Sequence, residues 1–223
     1  MASRYESDMT RKEKMQLEKE KLSKMNFKEK LVYIWEYYKA VIFGVIAVIF
    51  IIGTIVNIHE NAKYYDLVSI AVVDYAGLQD VSPVEEDLKE ALGTGDKYEK
   101  VSIDTSYSFG ENLENADYNT LMKFTAVIAA QSMDVLICSQ AVYDNYSKDD
   151  YFLDLSTLFD EATCEKYGIQ AGDTCLDISK LKKYQDMGLT YYEPCYLTVV
   201  VNTKNADNAA KLIEYLEEDG VNE

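Results

Sequence analysis

AVIFGVIAVIFIIGTIVNI, residues 40–58, carries no ionisable side chain, and its reading divides the chain in two. At about 1.5 Å of rise per residue, a helix of this length spans roughly 28 Å, close to the roughly 30 Å hydrocarbon core of a bilayer. A helix buried in a soluble core rarely goes five turns without a polar face. A cleaved export signal has a short basic region, an apolar stretch of about seven to fifteen residues and small residues at the cut. Here a long charged segment precedes the stretch and no A-x-A pattern follows it. No cysteine stands near its outer end to take a lipid anchor. The expectation is one transmembrane helix.

The flanks agree with a span. Tyr33, Trp35, Tyr37 and Tyr38 on one side, and Tyr64 and Tyr65 on the other, fall where an interfacial aromatic belt is expected. Lys28, Lys30 and Lys39 place the N-terminal side in the cytoplasm by the positive-inside rule, and so the larger C-terminal part outside the cell. Charge divides along the same line. Residues 1–40 hold ten Lys/Arg against seven Asp/Glu, and the residues beyond the apolar stretch hold twelve against thirty-two, within a total of −17. A domain this acidic repels phosphate backbones, so sequence-independent binding of nucleic acid is not expected.

Outward from the span, residues 1–25 read as a charged cytoplasmic segment, helical in part, with residues 1–10 lacking order. Asn26 and Glu29 form a capping-box pattern that starts a second helical stretch over 26–39. There Phe27, Leu31, Ile34 and Tyr38 recur at spacings of four, three and four. That apolar stripe suits a helix lying in the headgroup region before the chain turns into the bilayer, or packing on a partner or a second copy. Residues 59–65 link the span to an extracytoplasmic domain over 66–223, long enough for one compact core.

Strand and helix signals alternate in that domain. DLVSIAVVD, residues 66–74, is a β-branched run and reads as a buried strand. Ser82-Pro83 opens a helix ended by Gly93. Residues 100–104 read as a second strand, 119–132 as a helix through Leu121, Phe124 and Ile128, and DVLIC, residues 134–138, as a third strand. Residues 140–146 and 156–167 look helical, 191–202 extended and 206–218 helical, with 172–187 holding a small hairpin or loop. Strands separated by helices predict an α/β domain with a mainly parallel sheet and helices on both faces.

Two stretches, MDVLICSQAVYDNYSKDDYFLDLSTLFDE (133–161) and LTVVVNTKNADNAAKLIEYL (197–216), resemble segments of extracellular solute-binding proteins. The resemblance covers about fifty residues and implies a relative with one periplasmic-binding-like lobe, held by a helix instead of a lipid. It carries over no ligand-contact residue.

Open α/β sheets bind ligands beyond the carboxyl ends of their strands. The candidates are therefore Asp74, Tyr75 and Gly77 after the first strand, Asp104 and Ser106 after the second, and Ser139 and Gln140 after the third. They suit a small polar solute. Catalytic patterns are scarce: the sole histidine, His59, stands at the membrane exit, which excludes His-based triads and HExxH in the outer domain. Gly93-Thr94-Gly95-Asp96 lacks the Lys-Ser/Thr of a phosphate loop, and Asp149, Asp150 and Asp154 lack calcium-loop spacing. No catalytic residue, metal or cofactor is expected. Of the four cysteines, Cys164 and Cys175 are the better candidates for a disulfide, and Cys138 reads as a buried strand thiol. The expected function is a membrane-anchored, non-catalytic binding or interaction protein, such as an accessory to a transporter. The alternatives are an assembly subunit of a membrane complex and a carboxylate-based, wall-facing hydrolase.

Overall fold

The structure, a computed structural model, describes residues 9–75, 77, 80–110, 113 and 117–218. Residues 1–8, most of the segment expected to lack order, lie outside that set. The chain divides into two compact units, Met1–Ala62 and Lys63–Glu223.

The first unit is two helices. α1 (Arg11–Lys24) is opened by a capping box between Thr10 and Glu13. α2 (Phe27–Asn61) is opened by another: the Asn26 amide donates to Glu29 at 2.9 Å, and the Asn26 side chain accepts from the Phe27 amide at 2.9 Å. Glu18 of α1 accepts hydrogen bonds from the hydroxyls of Tyr33 and Tyr38, both at 2.9 Å, which lays α1 back along the start of α2. No break separates the expected interfacial segment from the span, because α2 runs through residue 39 as one helix of 35 residues. The physical reason is composition. Between Asn26 and Gly44 there is no Gly or Pro, and extending a helix costs less than nucleating a new one. α2 is about 52 Å long, and it is long and apolar enough to cross a membrane. The link to the next strand is correspondingly shorter than expected, since α2 ends at Asn61 and the strand starts at Tyr65.

The second unit is an α/β layer structure. In chain order it contains β1 (Tyr65–Val73), α3 (Ser82–Leu92), β2 (Glu99–Tyr107), α4 (Tyr118–Ala129), β3 (Val135–Ser139), α5 (Gln140–Tyr146), α6 (Glu161–Tyr167), β4 (Leu176–Asp177), α7 (Lys182–Met187), β5 (Cys195–Val199) and α8 (Ala206–Glu217). The strand order is β2-β1-β3-β5-β4. β1 pairs in parallel with β2 and β3, whereas β5 is antiparallel to both β3 and β4. The sheet is thus mixed, not mainly parallel. A parallel β5 would need a full crossover back to the start of the sheet. The chain instead spends residues 172–187 on the short edge strand β4 and on α7, and re-enters from the opposite end.

Each face of the sheet has its own core. On one, Ile70, Val72, Val101, Ile137 and Leu197 pack with Leu88 and Leu92 of α3, Tyr184 of α7 and Leu212, Ile213 and Leu216 of α8. On the other, Ala71, Val73, Leu136 and Cys138 pack with Phe124 and Ile128 of α4 and Val142 of α5. β2 and β3 lie on opposite sides of β1, so two crossovers of the same hand put α3 and α4 on opposite faces. At the amino end of β3, buried Asp134 accepts from the Ser69 amide (2.8 Å), the Thr203 hydroxyl (2.5 Å) and the Asn205 side chain (3.0 Å). That network locks β1, β3 and the turn before α8 together, at the end of the sheet away from the candidate site.

Candidate functional site

The chain moves from β1 outward to β2 and then returns across β1 to β3, so the strand order reverses between β1 and β3. Beyond the carboxyl ends of two such strands, their loops diverge and leave a crevice. Because β5 is antiparallel to β3, its amino end reaches the same edge, and Ser139 stands opposite Cys195.

Tyr192, just ahead of β5, closes the floor of this crevice. Its hydroxyl donates to the carbonyl of Val73, the last residue of β1, at 2.8 Å and lies 3.4 Å from that of Ile137 in the middle of β3. Burial pushes its phenol pKa well up, so it stays a donor. Above it opens a cleft of about 360 Å³ lined by Ser139, Gln140, Ala141, Asp144, Tyr192, Glu193 and Pro194. A second hollow of about 140 Å³ lies past Tyr192 and Glu193, with Tyr184, Gln185 and Thr190 among its walls. Tyr192 and Glu193 belong to both, so the two hollows flank one short segment.

Beneath that segment is a small polar cluster. The Cys195 thiol donates to the Tyr184 hydroxyl at 3.2 Å, Tyr184 and Thr190 share a hydrogen bond of 2.7 Å, and Thr190 donates to the Cys195 sulfur at 3.6 Å. Burial raises the Cys195 pKa, which keeps sulfur as the weakly nucleophilic thiol. The Ser139 hydroxyl is enclosed and has no hydrogen-bond partner.

The sequence-derived candidates separate here into two groups. Ser139 and Gln140 line the cleft. Asp74 holds the segment that follows β2: with φ +50°, it accepts from the Ser108 hydroxyl (3.1 Å) and the amides of Phe109 (2.8 Å) and Gly110 (2.9 Å). Tyr75 packs half-buried against the larger core, and Gly77, at φ +73°, is exposed. Asp104 and Ser106 sit on β2, where Asp104 accepts from Lys123 of α4 at 2.8 Å and from the Ser106 hydroxyl at 2.5 Å. Burial would raise the Asp104 pKa, but the bonds from Lys123 and Ser106 outweigh it and lower it.

Asp144, Tyr192 and Glu193 were missed at the sequence level. The signal was present as Tyr191-Tyr192-Glu193-Pro194, but it points to the cleft only once β5 is known to run antiparallel. Cys164 and Cys175 are free thiols in the structure, as are Cys138 and Cys195. The Gly93–Asp96 loop does cradle an anion, and that anion is the chain's own Glu99, which accepts from the amides of Thr94, Gly95 and Asp96. Asp154 is similarly engaged, accepting from Ser156 and from the Gly172 amide.

No family model, curated protein or solved structure matched the chain. The site is therefore read from its own chemistry. Its charged lining residues, Asp144 and Glu193, are both acidic, with the side-chain amide of Gln140 beside them.

Proposed function

We propose that this chain is a membrane-anchored, non-catalytic binding protein. Its N-terminus lies in the cytoplasm, and its second unit binds a small polar solute outside the cell. The observation that carries the reading is the cleft at the strand-order reversal, whose lining presents two carboxylates and an amide beside a phenol-closed floor. Carboxylates with a neutral amide beside them favour a ligand bearing an ammonium group over an anion. Lys28, Lys30 and Lys39 before the apolar stretch support the orientation, and the resemblance to solute-binding proteins agrees with the role. Delivery of the solute to a transporter in the same membrane would suit such an anchored domain.

The test is a thermal-shift series on the full-length protein in detergent, against small amines, amino acids, sugars and carboxylic acids, repeated with Asp144→Asn and Glu193→Gln. The expected result is a concentration-dependent rise in Tm with ammonium-bearing solutes, because a ligand at 100 times its Kd adds about 2.7 kcal/mol to stability. Each substitution should reduce that rise. No rise with any solute, or an equal rise in both variants, overturns the reading.

A further inference from the structure

We infer that α2 is also a self-association helix, pairing in parallel with α2 of a second copy of this chain along one stripe from Phe27 to Ile55. The inference rests on the reading of α2 as a membrane span and goes beyond the cleft. The continuity of α2 is what makes it possible. Without a break at residue 39, the stripe Phe27, Leu31, Ile34, Tyr38 extends at the same alternating spacing of three and four through Val41, Val45, Val48, Ile52 and Ile55. These are the a and d positions of a heptad sustained over four repeats. All nine side chains are exposed, Phe27 at 72% and Val45 at 54%.

In a segment where every residue is apolar, a heptad of apolar residues proves little by itself. The discriminating observation is the opposite row. Going along the helix, the position farthest from the stripe is Glu29, Glu36, Phe43 and Phe50. That row changes from carboxylate to aromatic where the helix enters the apolar stretch, as a face that follows its solvent must. The stripe does not change: it is apolar on both sides of the boundary, as a face shielded from both solvents must be. The water-side portion would otherwise leave Phe27, Leu31 and Ile34, three large apolar side chains, in water.

A second copy is the occupant that fits. Two copies inserted in the same membrane share direction and height, so each stripe residue meets its own counterpart, the self-complementary contact of a two-fold dimer. The flanking charges allow it. In a parallel pair Lys30 faces Trp35 of the other copy, which suits a cation over an aromatic ring, and both glutamates point away from the seam. α1 meets the stripe at Tyr38, whose hydroxyl donates to Glu18, and leaves Phe27, Leu31 and Ile34 exposed. A straight helix drifts by about 20° per heptad from this spacing, so the pair would coil left-handed.

The test uses full-length protein carrying donor or acceptor dye at its N-terminus, co-reconstituted at high dilution in phosphatidylcholine–phosphatidylglycerol vesicles. Energy transfer above the level of random mixing is expected. Leu31→Glu and Ile34→Glu, on the stripe, should weaken association by about tenfold or more, whereas Glu36→Gln, on the opposite row, should leave it unchanged. Flotation of the vesicles checks the span independently: protein that fails to float removes the anchor reading and this proposal with it. Protein that floats yet shows only random transfer overturns self-association alone, as does equal weakening by Glu36→Gln.

Discussion

Glu99 is 2% exposed at the start of β2, and its carboxylate is wrapped by the loop that precedes it. The Thr94 hydroxyl donates at 2.7 Å, and the amides of Thr94, Gly95 and Asp96 donate at 2.9, 3.1 and 3.2 Å. The Thr94 hydroxyl bond, with these amides, pulls the Glu99 pKa below its ordinary 4.5 despite burial. The folded form therefore holds the ionised carboxylate more tightly than the unfolded chain does. The stability this adds is complete above 4.5 and is lost as pH falls through the lowered folded-state pKa. Glu99→Gln should lower Tm at neutral pH, because an amide group would then face amide donors. Between the two proteins the gap should narrow as pH drops below 4.5, and a gap independent of pH in a thermal melt would contradict the assignment. Gly93 belongs to the same cradle. A Cβ there would come within 2.6 Å of both Glu99 Oε2 and the Lys89 carbonyl. Gly93→Ala should accordingly cost about 1–3 kcal/mol in urea denaturation, although its backbone is in an ordinary extended conformation.

At the scale of elements, α4 shows what a single side chain does for docking. Phe124 is fully buried and meets the rings of Tyr107 and Phe109 edge-on, with centroids 5.7 and 5.6 Å away, and Tyr146 at 4.8 Å. Phe124→Ala should cost about 3–5 kcal/mol, while Leu121→Ala, one turn earlier on the same stripe but exposed, should cost well under half of that; similar losses in urea melts would contradict the packing. This helix was readable from Leu121, Phe124 and Ile128 because their spacing follows the helical period. Strands β1 and β3 were readable because they are β-branched runs buried on both faces. Strand direction is another matter. Nothing in Cys195–Val199 distinguishes a strand entering from one end of the sheet from one entering at the other, since side-chain alternation is the same both ways. The cleft inherits that blindness: Ser139 and Gln140 follow a parallel strand and could be named, while Tyr192 and Glu193 precede an antiparallel one and could not. Asp74 illustrates the reverse error. A carboxylate at a strand end looks the same in sequence whether it faces a ligand or the amides of Phe109 and Gly110.

For the whole molecule, the division at Ala62 and Lys63 makes a prediction about what each part needs in order to fold. Both cores lie entirely within the second unit, as do the network around Asp134 and the cradle around Glu99. By contrast, the described residues of the first unit are nowhere fully buried, and the apolar surface of α2 needs lipid or another helix around it. Residues 63–223 expressed alone should therefore be soluble and unfold in one cooperative transition. Twelve Lys/Arg against thirty-one Asp/Glu keep such a chain well charged and dispersed. Its Tm should lie within a few degrees of the transition that full-length protein shows in detergent, since about 1 kcal/mol moves the Tm of a domain of 150 or more residues by roughly 2–4 °C. The full-length chain should stay with membranes through a carbonate wash, and the truncated chain should not. A truncated chain that melts without cooperativity would show that α1 or α2 supplies part of the fold, and would move the boundary of the domain toward the N-terminus.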